Sequence, residues 1–138
     1  MKAAVLALLL LPGVALAQPR PFSCVGAEDL EDDVFAVPFA RGADRLGDAA
    51  RAPLDAAVAL ILEMQDRHVC VLGHADRGQG AQTSVQLAAQ RARAVTNALV
   101  ARGVERDRIR AEARVGAFSG RAQEPGARAV TIVVMPAP

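Results

Sequence analysis

Two side chains in this sequence, Asp76 and Arg91, have the types and the spacing to grip a zwitterion between them. Asp76 follows Val69-Cys70-Val71-Leu72-Gly73-His74-Ala75, an apolar run of strand length that closes on a glycine and enters a polar, glycine-rich turn. Beyond the turn, Ala88, Ala92, Val95 and Leu99 recur at helical spacing and form one apolar stripe. At about 100° per residue Arg91 falls roughly 60° from that stripe, whereas Arg93 points well away from it. The phase therefore predicts Arg91 at the rim between core and solvent, near the turn that bears Asp76, and Arg93 exposed. Such a pair can form an ordinary ion pair. Alternatively the aspartate holds an ammonium while the planar arginine fork and the N–H groups opening the helix hold a carboxylate.

The other chemistry-bearing residues of the stretch are His68, Cys70 and His74, which share one face of a strand with Leu72. Two imidazoles and a thiolate could in principle meet a metal. However, no remote ligand cluster accompanies them, and neither metal nor cofactor is expected. Nor is there a Ser/His/Asp set or a paired acid placed for catalysis. A mid-strand cysteine is inert in such a position, so the chain reads as a non-enzyme. Cys24 and Cys70 are the two cysteines. An even pair in an exported chain favours a single bridge, with two buried thiols as the alternative.

Export is read from the first residues. Lys2 is followed by an apolar run to Leu11, a Pro12-Gly13 break and Ala15-Leu16-Ala17, the pattern of a cleaved secretory signal over 1–17. The run is well short of the roughly 20 residues that span a bilayer, and no later stretch is long enough. With Lys2 gone, fifteen arginines balance fifteen acidic residues, and this neutrality argues against a nucleic-acid partner. Trp and Tyr are absent and Phe occurs only four times, which excludes a stacking platform for sugars or bases.

The elements that must position Asp76 and Arg91 follow from periodicity. Residues 18–33 are irregular, Pro-rich at first and acidic from Glu28 to Asp33, where a solvated turn or helix stub is expected. Val34–Phe39 reads as a strand, with Pro38 marking an end or an edge. Leu46, Ala50, Leu54, Ala57, Val58 and Ile61 give an amphipathic helix with Asp48 as its N-cap, kinked at Pro53 or beginning near Ala52, and ending around Asp66. His68–Gly73 is a strand apolar on both faces. A second helix runs from Thr83 or Ser84 to Arg102 and stops at Gly103. Arg108–Val115 and Ala129–Val134 are the last strands, joined by a Gly/Pro loop and expected antiparallel. The order β-α-β-α-β-β over 34–135 predicts an α/β (α+β) two-layer sandwich with a mixed sheet.

Gly73-His74-Ala75-Asp76, then Leu87, Arg91-Ala92, Val95, Leu99 and Gly103-Val104, resembles the OmpA-like (OmpA/MotB/Pal C-terminal type) peptidoglycan-binding domain. The flanks agree: Phe39, Leu46 and Leu54 at the start, and Arg128-Ala129-Val130-Thr131-Ile132 at the close. The resemblance implies non-covalent binding of the diaminopimelate residue of the peptidoglycan stem peptide. It assigns Asp76 to the ammonium and Arg91 to the carboxylate, with main-chain help near Ala75. Ser84 stands at a ligand-binding position where it can also cap the helix, and Arg128 stands where it can either touch the ligand or form a rim salt bridge. Several supporting positions depart from the family pattern. Ala75 stands for threonine, Ser84 for asparagine and Ala129 for a second arginine, and Val115-Gly116-Ala117 lacks the usual acidic residue. These readings imply a periplasmic chain, with any outer-membrane association supplied by an envelope protein partner. A module of the same fold that only supports such a complex, without gripping peptidoglycan, is the alternative.

Overall fold

The computed structural model describes residues 4, 5, 7, 21–76, 81–114 and 128–138. The signal segment over 1–17, the glycine-rich turn 77–80 and the loop 115–127 thus lie almost wholly outside the described residues. Four strands, β1 (Val34–Pro38), β2 (Val69–His74), β3 (Ile109–Arg114) and β4 (Ala129–Val134), form one sheet in the order β1-β4-β2-β3. Helices α1 (Arg51–Glu63) and α2 (Ala81–Ala101) link β1 to β2 and β2 to β3.

The sheet is mixed, as expected, but its last strand does not pair with the one before it. β4 enters between β1 and β2 and runs antiparallel to both, while β2 and β3 pair in parallel. Composition gives the reason. Ala129-Val130-Thr131-Ile132-Val133-Val134 is buried along almost its whole length and must be covered on both faces. Edge strand β3, Ile109-Arg110-Ala111-Glu112-Ala113-Arg114, carries three charges that tolerate water. The other edge is β1, where Pro38 is harmless.

Val69, Val71, Val130, Ile132 and Val134 pack with Leu54, Ala57 and Ile61 of α1 and with Ala92, Val95 and Leu99 of α2. The opposite face, with Cys70, Leu72 and Val133, is closed by Cys24 and Ala27 and flanked by Phe22 and Leu30. Cys24 and Cys70 form a disulfide with Cα atoms 5.8 Å apart, which pins the irregular N-terminal segment to the central sheet. The acidic run contains a 3-10 turn at Ala27–Asp29. It is more than solvated: Asp33 pairs with Arg67 at 2.7 Å, and Glu28 lies 3.7 Å from Arg114.

Helix ends depart from expectation by a few residues. Asp48 opens a 3-10 turn, Asp48–Ala50, and is not the cap of α1. The turn runs straight into the helix, and Pro53 sits in its first turn, where no N–H is required. α1 stops at Glu63, not Asp66. Arg108 donates to the carbonyls of Ile61, Met64 and Arg67 at 3.1, 2.6 and 2.9 Å, satisfying the acceptors this helix end leaves open. α2 ends as expected at Gly103, whose φ of 101° permits paired bonds from Gly103 to Val100 and from Val104 to Leu99.

Gly73 sets how closely α2 lies on β2. A Cβ there would stand 2.0 Å from the Ala88 carbonyl oxygen and 3.0 Å from the Ala92 side chain. Since a helix backbone cannot yield locally, Gly73→Ala is expected to destabilise the fold by about 3 kcal/mol or more, beyond the usual overpacking range. Chemical denaturation of the variant against wild type measures this.

Candidate ligand-binding site

The close seat of α2 carries Arg91 into the structure instead of leaving it at the rim. Its side chain is only 1% exposed. Nε donates to the Ala43 carbonyl at 2.7 Å, Nη1 to His74 at 3.0 Å and Nη2 to Ala40 at 3.2 Å. The guanidinium also lies over the Phe39 ring, 5.4 Å from its centroid. Helical phase alone missed this, because the turn after β1 folds over the rim and converts it to interior. Arg93 is exposed, as its phase predicted.

One cation thus ties the turn after β1 to the end of β2. Burial depresses the Arg91 pKa, the nearby Asp76 carboxylate opposes that effect, Arg128 adds to it, and Asp44 opposes it again. Arg91 therefore has two carboxylates and a second guanidinium within electrostatic reach. Asp76 is half-buried, immediately after Ala75 at the mouth of β2. Arg128 is half-buried, and its carbonyl accepts the Phe39 N–H at 2.9 Å. Arg91, Asp76, Ala75 and Arg128 converge at one end of the sheet. Asp44 and the carbonyls of Ala40 and Ala43 belong to the same corner.

Ser84 ties the corner to α2. α2 begins at Ala81, so Ser84 is inside the first turn and does not cap the helix. It is fully buried, and its hydroxyl donates to the Asp76 main-chain carbonyl at 2.5 Å. That bond fixes the Asp76 backbone to the helix; a serine is short enough to make it inside the closed corner.

His74 faces the other way. Strand alternation puts its ring on the Cys70 and Leu72 side, where Nε2 lies 3.4 Å from the Thr131 hydroxyl. The ring is 5% exposed, and its pKa falls to about 4, chiefly through burial, then through the Arg114 cation, with Glu28 opposing. His68 lies just outside β2, with the Phe22 ring stacked on it at 4.1 Å. Cys70 is consumed by its disulfide. No cluster of three or more metal-ligating side chains occurs among the described residues.

The unfolded chain takes up the His74 proton near pH 6.5, whereas the folded chain resists until about pH 4. Acidification through that window therefore favours unfolding, by up to roughly 3 kcal/mol at its lower end. His74→Gln should flatten the stability slope between pH 6.5 and 4, as read from urea unfolding at a series of pH values.

The OmpA family model matches residues 38–131, which contain the whole corner. Among solved structures, the OmpA-like domain of FopA1 from Francisella tularensis subsp. tularensis SCHU S4 superimposes with a TM-score of 0.64 at 19% identity, covering 76% of this chain and 75% of that one. The peptidoglycan-associated lipoprotein from Burkholderia pseudomallei gives 0.63 at 20% identity over 73% and 90% of the two chains. A putative MotB-like protein from Desulfovibrio vulgaris gives 0.58 at 20% over 76% and 75%. Comparison with curated protein sequences gave no match. The structural likenesses establish the fold, and the family model, spanning most of the sequence, shows that this chain belongs to the OmpA family.

Proposed function

We propose that this chain is a non-enzymatic module of the bacterial cell envelope that binds peptidoglycan non-covalently through the diaminopimelate of its stem peptide. Asp76 would hold the free ammonium and Arg91 the carboxylate, with main-chain groups near Ala75 completing the grip. Ser84 acts through the Asp76 backbone, and Arg128 adds positive field beside the carboxylate. The observation that carries this reading is the way Arg91 is held. Three of its five N–H groups are committed to fixed carbonyls of the described residues, which sets the plane of the guanidinium at the corner where Asp76 lies. Such a cation is oriented before the ligand arrives, so little ordering cost remains. The name of the Burkholderia neighbour, a peptidoglycan-associated lipoprotein, supports the ligand class, and one similar structure is the periplasmic domain of Helicobacter pylori MotB.

Nothing in this reading calls for a cofactor or a catalytic step. Both cysteines are bridged, and the His74 ring lies on the sheet face away from α2. No helix among the described residues is long and apolar enough to cross a membrane. We place the chain in the periplasm after removal of residues 1–17, with an envelope partner supplying any attachment to the outer membrane.

One observation favours a second reading. Arg91 is closed off at 1% exposure, which also suits a purely structural role in a module that binds only a protein partner. Removing Arg91 does not separate the two readings, because Arg91→Ala would strand three carbonyls and loosen the fold. Asp76 is the better probe. In co-sedimentation with purified sacculi, wild type should pellet and Asp76→Asn, which leaves the three carbonyls on Arg91 in place, should bind about tenfold or more weakly while remaining folded by circular dichroism, as loss of a charge-assisted contact predicts. Equal and poor pelleting of both proteins would overturn the peptidoglycan reading in favour of the structural one.

A further inference from the structure

The sheet face away from the helices is covered by residues 21–30, and His74 links this cover to the ligand corner. Cys24 is bridged to Cys70. Arg114 donates from Nη2 to the Cys24 carbonyl at 3.1 Å, and its guanidinium pairs with Glu112 at 2.5 Å and faces Glu28 at 3.7 Å. His74 follows Cys70 and Leu72 onto this face, so its ring is buried where the cover, Arg114 and Thr131 come together. The carbonyl of the same residue accepts Arg91 Nη1 at 3.0 Å, and Asp76 lies two residues further on.

We propose that His74 is a positioning residue for the Asp76–Arg91 site, and that the disulfide-pinned segment 21–30 holds it in register, so that loosening the segment weakens ligand binding. The inference rests on the peptidoglycan reading for its ligand, but the coupling it describes lies within the protein. Among the described residues, the groups facing the ring include Arg114 from β3, Glu28 from the 3-10 turn and the Thr131 hydroxyl from β4. Burial under the cover outweighs Glu28 and keeps the imidazole neutral. Once the cover lifts, water reaches the ring and its affinity for a proton returns towards that of an ordinary histidine. A protonated ring beside the Arg114 cation is repelled, and the end of β2 moves with it. That movement displaces the Arg91 acceptor and Asp76 together.

The test measures binding of the tripeptide L-Ala-γ-D-Glu-meso-diaminopimelate by calorimetry between pH 5.5 and 7.5. The proteins compared are wild type, Cys24→Ala/Cys70→Ala and Leu30→Ala, the last loosening the cover while keeping both the bridge and the Arg114 cation in case the first folds poorly. Wild-type affinity should barely change over this range. Both variants should bind roughly five- to tenfold more weakly at pH 5.5 than at 7.5, a typical coupling between linked sites. Adding His74→Gln should abolish that pH dependence, which a merely destabilised fold would retain. Variants that bind as wild type does at both pH values would overturn the proposal and leave the peptidoglycan reading intact. If wild type does not bind the tripeptide at all, the ligand reading fails and the NMR signals of the Arg91 Nε–H and the His74 ring decide the coupling. Faster Arg91 exchange in the variants, with His74 titrating near its ordinary pKa, supports it; unchanged signals overturn it.

Discussion

Taking a guanidinium out of water costs several kcal/mol unless hydrogen bonds and opposite charge replace its hydration. Arg91 meets that demand with three main-chain carbonyls, an aromatic face and the fields of Asp76 and Asp44. The arrangement depends on α2 approaching β2 without an intervening side chain, and Gly73 provides that approach. It also depends on the turn after β1 presenting the Ala40 and Ala43 carbonyls inward. The corner where Asp76 surfaces is therefore a junction of three chain segments held by one cation.

The same device recurs at the other end of the sheet and along its edge. Arg108 collects carbonyls at the end of α1, and Arg67 takes those of Val134 and Met135 together with Asp33. Arg110 and Arg114 reach across to Phe22 and Cys24. Arginine's several donors in a planar fork suit this role better than the single ammonium of lysine. These arginines thus have a structural use: they satisfy main-chain acceptors at chain ends and turns, where no helix or ladder does so.

The second face of the sheet gives the domain its other constraint. β4 between β1 and β2 has side chains on both sides that need cover, and only one side receives helices. The N-terminal segment closes the other side, and the disulfide holds it there although the segment has little regular structure of its own. His74 lies between these arrangements, with its ring under the cover and its carbonyl on Arg91.

Much of this was legible in the residues. The alternation and helical periods placed all six main elements, because burying one face imposes a period on any chain. The pattern from Gly73 to Val104 brought Asp76 and Arg91 to the same end of the sheet, and Gly103 ended α2 where expected. What only the tertiary structure decided were facts about pairing and closure. β4 inserts between strands distant in sequence, which no local pattern encodes. Ser84 bonds the Asp76 backbone because α2 starts at Ala81, a boundary that weak N-terminal signals left open. Arg91 is interior and not rim, because helical phase gives a side chain's direction but not what folds over it. The turn at Ala40–Asp44 supplies that cover, and its part is played by main-chain carbonyls, which every sequence carries and none displays.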